Sequence, residues 1–574
     1  MNRTETQALP SVIHGIPLDE EQGLGALTLP GYLREVTTRY AQREALVMHE
    51  ATGTTRWSYA ELWAQSMAVA RALNACGIGK DERVGVMLTN RPEWLSGCFG
   101  ASLAAGVATG ISTFSTPDEL DYLLRSSGVS VLLFERTVVK KDFLKILFEL
   151  EPKLASSAPG KLQSTRYPFL KHLACVGDGE GAVENWQTFL QRGESVPPAI
   201  IEATADTVRP ADPGLLFFSS GSTNKPKGIM NAHRGVCLQL WRWLRFYGML
   251  KPGSDVAQVP DDVRCWSANG FFWSGNFAQA LGGALSSGGS LVLQSTFNAE
   301  EALQLMGREK VTLPVAWPHQ WKQLEEAPNF SSVNLSSLHY VGPSTPLGRH
   351  PTVSTDWSDP MAAYGNTETF TISSIFSSGT SPERINKSHG EPQPGNVFKI
   401  VDPLSGAVLP MGERGEIAVK GPTLMLGYLG VPLADTVDEE GFFRTGDGGY
   451  VDAENRLYWE GRLNDIIKTG GANVSPLEID DVIRAHPAVK ITLTVGVPHD
   501  TLGEIVVACI VPFENVSLDE RTVRDFAKEK LASYKVPRRV LFFRDEELAT
   551  TGSSKIKSGE LRKLAAQRLA GSGD

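Results

Sequence analysis

One stretch of small hydroxyl residues, glycine and lysine has the composition of an anion-binding loop. Residues 215–228 read LLFFSSGSTNKPKG, so an apolar run leads into Ser219, Gly221 and Thr223 and then to Lys227. A loop of this kind brings backbone N–H groups close to phosphate oxygens, and its lysines neutralise their charge. The pattern is neither a Walker A loop nor a dinucleotide-binding GxGxxG turn. The segment therefore predicts a phosphate-binding loop of another type.

Six further segments contain polar and charged residues that can bind ligands or take part in catalysis. They are AYGNTE at 363–368, GEPQPG at 390–395, RTGD at 444–447, GRLNDIIKTGG at 461–471, YKVPR at 534–538 and TTGSSKI at 550–556. With the loop at 215–228 they resemble, in the same order, the motifs of the adenylate-forming (ANL) superfamily, which contains acyl-CoA synthetases, peptide-synthetase adenylation domains and beetle luciferases. The resemblance is strongest to the acyl-CoA synthetase branch, the AMP-dependent acid:CoA ligases.

The resemblance implies that the chain activates a carboxylic acid with ATP. A carboxylate attacks the α-phosphate of ATP to give an acyl-adenylate and pyrophosphate, and the thiol of CoA then displaces AMP. Neither step needs a protein nucleophile, which fits a sequence without a Ser-His-Asp or Cys-His arrangement. The protein must instead position two anions and stabilise charge. The implied cofactors are ATP, Mg²⁺ and CoA.

The resemblance also assigns nucleotide-binding roles to individual residues. Thr367 contacts the α-phosphate, and Glu368 holds Mg²⁺, which prefers carboxylate and phosphate oxygens. Asp447 accepts hydrogen bonds from the ribose hydroxyls and is supported by Arg462. Tyr364 offers an aromatic face to adenine. The other residues implied for ATP or AMP are Ser219, Ser220, Gly221, Ser222, Thr223 and Lys227 around the β- and γ-phosphates, Ser344, Thr345 and Pro346 beside the base, and Gly365 and Asn366.

The remaining catalytic functions implied by the resemblance fall in the last part of the chain. Lys555 bridges the attacking carboxylate and the α-phosphate, which lowers the repulsion between two anions, and it joins Thr367 and Glu368 as the catalytic set. Asn464 is the hinge about which the C-terminal domain rotates. After the rotation, CoA is bound by Lys468, Gly470, Gly471 and Arg538.

Three residues depart from the usual motifs of the superfamily. Asn224 stands in the phosphate loop where glycine is usual, Asn464 replaces the hinge Asp or Lys, and Ser554 replaces the glycine before the lysine. Asparagine tolerates a left-handed backbone better than most residues, so we expect little effect in the loop. The other two departures bear on the timing of the rotation and leave the predicted fold unchanged.

An uncharged segment predicts an apolar pocket for the acid. Residues 265–299 contain no Asp, Glu, Lys, Arg or His, and six of the twelve tryptophans lie between positions 241 and 321. These aromatic residues are consistent either with ordinary core packing or with a wide apolar pocket for an aliphatic, alicyclic or aromatic acid. An amino-acid substrate is disfavoured, because the segment supplies no carboxylate for its ammonium group. The predicted pocket residues are Trp266, Phe271, Phe272, Trp273 and Trp317.

Two classes of acid and several alternative functions remain open. Residues 30–200 are most like fatty-acyl-CoA synthetases, which favours a medium- or long-chain acid, whereas the aromatic residues favour a ring-bearing acid such as an arylalkanoate or a steroid side-chain acid. The predicted function is a carboxylic acid:CoA ligase that forms AMP. The alternatives are an adenylating enzyme that passes the acyl group to a carrier protein or an amine, a binding pseudoenzyme, and a phosphate-releasing ATPase or kinase, which the missing Walker A loop opposes.

The elements that must position these residues alternate between apolar strands and helices. A hairpin at 45–58 is followed by a helix at 59–75. Further strand-like runs, separated by helical segments, are 83–88, 129–134, 215–218, 291–294 and 338–342. The predicted fold class is therefore multi-domain α/β with largely parallel sheets. The predicted domains are a large N-terminal region at 1–463, with two layered α/β sheets and a β-rich subdomain at about 397–463, and a small mobile α+β domain at 464–574.

Composition and charge limit the classes of molecule that the chain is expected to bind. The chain has 574 residues and a formal net charge of −10, so it can form several cores and lacks the basic surface expected of a nucleic-acid-binding protein. Its six cysteines are scattered without metal-ligand spacing, which predicts reduced, buried thiols in a cytoplasmic protein. No stretch predicts an integral membrane segment. The predicted partners are a small carboxylic acid, ATP and CoA, and a homodimer is left open.

Overall fold

The computed structural model describes most of the chain in two compact units. The large unit comprises His14–Val397 and Lys420–Gly441, and the small unit comprises Met1–Ile13, Phe398–Val419 and Phe442–Asp574. The described residues are 9–219, 226–251, 259, 262–358, 362–463, 465, 467–469, 472–499, 502–514, 516–531, 533, 535–544, 547 and 558–571. The predicted hinge, Asn464, lies outside them, so the domain boundary at that residue stays a prediction.

Sheet A is the largest sheet of the large unit and has eight strands. In sheet order they are Val183–Asn185, His172–Val176, Val131–Glu135, Arg83–Met87, Val107–Gly110, Pro213–Ser219, Lys227–Ala232 and Gly427–Tyr428. The first six run parallel, and the last two join antiparallel. Because the carboxyl ends of the parallel strands share one edge, the segments that follow them are brought together there.

Sheet B is a five-stranded sheet of the same unit. Its order is Leu313–Val315, Arg264–Ser267, Ser290–Leu293, Glu44–Glu50 and Gly53–Ser58. The first three pairings are parallel and the last is an antiparallel hairpin. Two smaller antiparallel sheets complete the unit's strands, sheet C with Ala363–Tyr364, Ser374–Ile375 and Glu391–Pro392, and a hairpin of Thr137–Val138 and Lys141–Asp142.

Helices connect and cover these strands. The α-helices of the large unit are Leu29–Arg39, Tyr59–Ala75, Pro92–Leu103, Pro117–Ser127, Phe143–Leu150, Lys153–Ser156, Trp186–Gln191, Pro198–Asp206, His233–Phe246, Ser274–Asn276, Gly282–Leu285, Ala299–Glu309, Pro318–Glu325 and Pro382–Ile385. Short 3₁₀ turns occur at Leu18–Glu20, Arg192–Ser195, Phe330–Ser332, Thr367–Thr369 and Leu433–Asp435, and a π-helical turn at Phe277–Leu281. Among the described helices, none combines the length and hydropathy needed to cross a bilayer.

Local sequence explains where several helices begin. Ser58 Oγ accepts a hydrogen bond from Glu61 N at 3.2 Å, and the Glu61 carboxylate accepts one from Ser58 N at 2.7 Å. Thr116 and Glu119 make the same reciprocal pair at 3.3 and 2.8 Å. These capping boxes satisfy N–H groups that a helix start leaves free. The hairpin and helix predicted at 45–75 are confirmed.

Aromatic packing forms the main core of the large unit between its sheets and helices. The buried ring of Trp94 lies 5.4 Å from that of Phe271 and 5.7 Å from that of Phe277, measured between centroids. Phe277 in turn lies 6.0 Å from Phe217, on the strand before the phosphate loop. Each fully buried ring contributes about 1.5–3 kcal/mol from the hydrophobic effect.

All six cysteines are free thiols and five of them are buried.

The described residues of the small unit form two sheets. Sheet D has the strands Val12–His14, Val397–Val401, Gly415–Lys420, Phe443–Val451 and Leu457–Arg462. Sheet E has the strands Ala472–Val474, Ile467–Thr469, Gly503–Pro512 and Val489–His499, with Arg539–Phe542 parallel to Gly503–Pro512. Sheet E packs against three helices, which are Pro476–Arg484, Glu520–Lys528 and Ser558–Gly571. Ile479, Ile483 and Val506 are buried in its core. The predicted fold class is confirmed in both units.

One predicted strand is wrong. Residues 338–342 form no strand, and the N–H groups of His339 and Tyr340 both donate to the Thr312 carbonyl, at 3.0 and 2.9 Å. A backbone that shares one acceptor in this way does not continue a ladder of alternating bonds. Leu338 and Val341 are buried, which explains the apolar pattern that predicted a strand.

Candidate active site

The predicted phosphate-binding loop connects two antiparallel strands of sheet A. Pro213–Ser219 and Lys227–Ala232 pair so that Ser219 stands opposite Lys227. Residues 215–217 of the first strand and Ile229 of the second are buried, which anchors the two ends of the loop. The loop residues Ser220, Gly221, Ser222 and Thr223 lie outside the described residues, and their contacts with phosphate stay predictions.

A single 3₁₀ turn, Thr367–Thr369, carries the residues predicted to contact the α-phosphate and magnesium. Asn366 caps this turn, because its Oδ1 accepts a hydrogen bond from Thr369 N at 2.9 Å. Thr369 Oγ1 accepts one from Asn366 N at 3.2 Å in return. The Asn366 side chain therefore fixes the turn, while Thr367 and Glu368 remain partly exposed on it.

The backbone on both sides of this turn is tightly constrained. A Cβ atom at Gly365 would lie 1.7 Å from the Thr371 carbonyl oxygen, so only glycine fits there. Phe370 and Thr371 have φ angles of 44° and 80°, in the left-handed region that non-glycine residues rarely adopt. Phe370 is fully buried, with its ring 5.9 Å from that of Phe217. Packing thus holds a strained backbone next to Glu368, and such strain is concentrated at functional sites.

Tyr428 is a site residue that the sequence analysis missed. Its hydroxyl donates a hydrogen bond to Glu368 Oε1 at 2.7 Å. Tyr428 lies in the edge strand of sheet A, opposite Ile229. The Lys227 ammonium lies 4.8 Å from the centroid of the Tyr428 ring, within cation–π range. The sequence signal was weak, since a tyrosine after a glycine gives no indication of a partner sixty positions away.

The surroundings of Glu368 fit a magnesium ligand. Within the part of the chain that the structure describes, the Glu368 carboxylate is hydrogen-bonded to Tyr428 and forms no ion pair with a basic side chain. No group of three or more His, Cys, Asp or Glu side chains suited to a metal occurs among the described residues. Mg²⁺ usually takes one or two carboxylates and completes its coordination with phosphates and waters, so the carboxylate of Glu368 would be a sufficient protein ligand.

The residues predicted beside the base lie in the large unit as well. Thr345 Oγ1 donates to the Gly342 carbonyl at 2.7 Å and accepts from Gly348 N at 3.0 Å, so it builds a turn. The neighbouring Ser344 is exposed and Pro346 is partly exposed. Tyr364 is buried in sheet C, with its carbonyl accepting from Ser373 N at 2.8 Å. The contacts of these residues with adenine stay predictions.

The five aromatic residues predicted for the acyl pocket do not form one cluster. Trp266 is fully buried and packs with the core on one side of sheet B, its Nε1 donating to Gln294 Oε1 at 3.2 Å. Phe271 belongs to the main core beside Trp94. Phe272 and Trp273 lie together, with ring centroids 5.4 Å apart, and Trp317 is 43% exposed.

Polar side chains that the sequence analysis did not single out hold the loop before Phe272. The side-chain nitrogen of Asn90 donates to the Asn269 carbonyl at 2.6 Å, and Asn90 Oδ1 accepts from Phe271 N at 2.9 Å. Gln320 Nε2 donates to Asn269 Oδ1 at 3.0 Å. Asn90 and Gln320 are buried, so these bonds fix the direction in which the loop presents Phe272.

In the small unit, the predicted ribose-binding pair is in contact. Asp447 and Arg462 are opposite each other across two strands of sheet D. Arg462 Nε lies 3.1 Å from Asp447 Oδ1, and its Nη1 donates to the Thr445 carbonyl at 2.8 Å. Asp447 is buried and its N–H donates to Thr445 Oγ1 at 3.1 Å. The arginine thus contacts the carboxylate and a neighbouring carbonyl, while the binding of ribose stays a prediction.

The residues predicted for CoA are only partly described. Lys468 and Arg538 are exposed in the small unit. Lys468 N donates to Glu504 Oε2 at 2.8 Å, and Arg538 N donates to the Val506 carbonyl at 2.9 Å, so both side chains extend from fixed backbone. Gly470, Gly471, Asn464 and Lys555 lie outside the described residues, and their roles stay predictions.

Comparison with protein families decides the identity of the fold. The family model of AMP-binding enzymes matches residues 33–429, and that of the AMP-binding enzyme C-terminal domain matches residues 478–555. The chain belongs to the AMP-binding enzyme family. Its resemblance to the adenylate-forming superfamily, and to the acyl-CoA synthetases in it, is thereby confirmed.

Relatives of this AMP-binding enzyme extend over nearly its whole length. A feruloyl-CoA synthase from Amycolatopsis sp is 29% identical over 515 residues, which cover 89% of this chain and 94% of the relative. A mitochondrial medium-chain acyl-CoA ligase from Macaca fascicularis is 26% identical and covers 94% and 87%. A crystal structure of the anthranilate CoA ligase AuaEII with anthranoyl-AMP superposes with a TM-score of 0.76 at 25% identity, covering 95% and 98%.

Proposed function

We propose that this AMP-binding enzyme is an ATP-dependent, AMP-forming ligase that joins a hydrophobic carboxylic acid to CoA. The placement of Glu368 carries the proposal. Its carboxylate accepts a hydrogen bond from Tyr428, on the strand next to the one that begins at Lys227. The side chain of Tyr428 thus lies beside both a carboxylate suited to a divalent cation and a lysine suited to phosphate, and binding of a metal–nucleotide requires both groups.

Two group transfers make up the proposed reaction. First, a carboxylate oxygen of the acid forms a bond to the α-phosphorus of ATP, and the bond to the oxygen that leaves with pyrophosphate breaks. Lys227 neutralises negative charge on the leaving phosphates, the Thr367 hydroxyl donates to the α-phosphate, and Lys555 reduces the repulsion between the two anions. When bound, Mg²⁺ on Glu368 offsets the phosphate charge. The CoA thiolate then attacks the acyl carbon, and AMP leaves with the oxygen.

A hydrophobic acid is the proposed substrate. Two of the relatives are named for a ring-bearing acyl group, feruloyl, and for medium-chain acyl groups. The solved structure is named for anthranilate. All these acids have an apolar body, which the paired rings of Phe272 and Trp273 suit.

A cytoplasmic location and a homodimer stay predictions from the sequence.

An assay of products tests the proposal. The protein is incubated with ATP, Mg²⁺ and a panel of aliphatic and ring-bearing acids, with and without CoA, while pyrophosphate, AMP and thioester are measured. We expect acid-dependent pyrophosphate and AMP, and thioester only when CoA is present. Pyrophosphate without thioester, even with CoA, would favour transfer to a carrier protein or an amine. No acid-dependent pyrophosphate from the whole panel would contradict the ligase assignment.

A further inference from the structure

An exposed aromatic ring lies at the carboxyl edge of sheet A, next to the predicted acid site. Phe114 follows strand Val107–Gly110 and is 54% exposed. Ligands of parallel α/β sheets bind in the crevice at the carboxyl ends of the strands. A large apolar side chain left in water at that edge is therefore placed where it can meet a ligand.

The loop that carries Phe114 is held rigidly. The Lys141 ammonium donates hydrogen bonds to the carbonyls of Phe114 and Ser115, at 2.7 and 2.9 Å. Phe114 N donates to Ser112 Oγ at 3.1 Å. Thr116 then caps helix Pro117–Ser127. Because the backbone is fixed in advance, a ligand that contacts the ring has little loop entropy to overcome.

On one side, Phe114 continues the aromatic surface of the predicted acyl site. Its ring meets that of Phe272 edge to face, with centroids 5.8 Å apart and an interplanar angle of 74°. Phe272 lies beside Trp273. A Cβ atom at Gly110 would lie 3.4 Å from Phe272 Cα, so the Phe272 backbone passes directly over the end of the strand. The three rings thus form one continuous apolar surface.

On the other side, the same segment reaches the phosphate loop. Tyr122, on the helix that follows Phe114, donates from its hydroxyl to the Pro226 carbonyl at 3.0 Å. Pro226 immediately precedes Lys227. The carboxylate of the acid must reach the α-phosphate while its apolar body lies away from the charges. Residues 112–122 therefore span the distance between the phosphate end and the apolar end of the proposed substrate.

We propose that Phe114 contacts the apolar body of the acid and helps to determine its selection, and that Lys141 is the residue that positions Phe114. This inference rests on the proposed function and adds a specificity residue to it. Phe272 and Trp273 supply the inner part of the apolar surface, and Phe114 supplies the outer part. Phe114 should therefore strengthen the binding of long acids only, because an acid too short to reach beyond Phe272 does not contact Phe114.

The test compares variants of the full-length protein with acids of different size. Dissociation constants are measured by calorimetry and KM values from pyrophosphate release, using an arylalkanoate, a medium-chain fatty acid and propionate. For Phe114→Ala we expect about a tenfold weaker binding and a similar rise in KM for the two larger acids, as the loss of a ring contact predicts. The values for propionate and the KM for ATP should change less than twofold.

Three further variants separate recognition of the acid from general damage to the protein. Phe169→Ala removes another exposed phenylalanine, 61% exposed in the turn before strand His172–Val176, and should leave every constant unchanged. Lys141→Met should raise the KM for the larger acids in the same direction as Phe114→Ala, and Lys141→Arg should restore part of the loss.

The outcomes distinguish this inference from the proposed function. If the larger acids bind to Phe114→Ala as tightly as to the wild type, the role of Phe114 is wrong even though the ligase activity stands. An equal loss for propionate would also overturn it, since that would indicate general damage. If the wild type binds the acids but releases no pyrophosphate, the ligase assignment fails, and the calorimetric comparison still decides whether Phe114 contacts the acid.

Discussion

The Tyr428 hydroxyl donates a 2.7 Å hydrogen bond to Glu368 Oε1, and this contact ties an edge strand of sheet A to the predicted magnesium ligand. The same segment also fixes the backbone of Glu368, since Met425 N donates to the Glu368 carbonyl at 2.7 Å. Two bonds from residues 425–428 therefore hold both the main chain and the carboxylate of Glu368. Among the described residues no other side chain is bonded to the Glu368 carboxylate, which leaves its second oxygen available for a cation.

Replacing Tyr428 by Phe removes the hydroxyl and keeps the ring. Hydrogen bonds to charged groups contribute about 1.5–3 kcal/mol, and partial exposure of Glu368 places the loss near the lower end. We expect the Mg²⁺ concentration for half-maximal pyrophosphate release to rise about tenfold, with a weaker effect on the KM for the acid. Calorimetry of ATP binding at several Mg²⁺ concentrations provides a second readout.

Tyr450→Phe is the matched control for this change. Tyr450 lies in the small unit and stacks on Tyr458 with ring centroids 4.5 Å apart. Removal of the Tyr450 hydroxyl should leave the Mg²⁺ concentration for half-maximal pyrophosphate release as in the wild type. Equal Mg²⁺ dependence in Tyr428→Phe and the wild type would show that the hydroxyl does not orient Glu368.

Gly365→Ala tests the tight backbone before the turn. The added Cβ would lie 1.7 Å from the Thr371 oxygen, so the turn that carries Thr367 and Glu368 must shift. We expect pyrophosphate release to fall at least a hundredfold, since small misplacements of catalytic groups are costly. Gly79→Ala is the control, because nothing lies within 4 Å of a Cβ there. Full activity of Gly365→Ala would mean that the turn is not constrained as described.

The sequence predicted the architecture well and left open which aromatic residues lie in the core and which line a pocket. Alternating apolar runs and helix starts such as Ser58 depend on local patterns, so the parallel sheets were foreseeable. An apolar run alone does not tell whether Trp266 lies in a core or lines a pocket, because both environments select the same residue types. The contact of Tyr428 with Glu368 depends on how distant segments pair in sheet A. No local pattern contains that information.

Asp480 gives the small unit a pH-dependent stability. It is buried, accepts a hydrogen bond from Thr494 Oγ1 at 2.7 Å, and burial raises its pKa from 3.8 to about 7. The folded unit therefore keeps a proton that the unfolded chain releases, and its stability falls as the pH rises from about 4 to about 7. Asp480→Asn should remove this loss and stabilise the unit at pH 8 by roughly 4 kcal/mol.

Hydrogen exchange of the amides in Val489–His499 and Gly503–Pro512 measures this effect locally. The variant and the wild type are compared at pH 5 and at pH 8, and the difference should be larger at pH 8. Asp481→Asn, which changes an exposed neighbour, should behave as the wild type at both pH values. Equal protection of wild type and Asp480→Asn at pH 8 would show that Asp480 carries no buried charge penalty.

Lys555→Ala separates the two proposed group transfers. The lysine is assigned to the first step alone, so we expect pyrophosphate release to fall by about three orders of magnitude, as for the loss of a major transition-state charge interaction. Transfer of a supplied acyl-adenylate to CoA should change less than threefold. Lys557→Ala, two positions along, is the control for both steps. An equal loss in both steps would contradict the assignment of Lys555.

The central claim is that a carboxylate oxygen of the acid attacks the α-phosphorus of ATP. Mass spectrometry of AMP, formed from an acid labelled with ¹⁸O in its carboxylate in the presence of ATP and CoA, tests it directly. We expect each AMP to carry one ¹⁸O atom and pyrophosphate to carry none. Label in pyrophosphate or phosphate, or unlabelled AMP formed together with thioester, would contradict it.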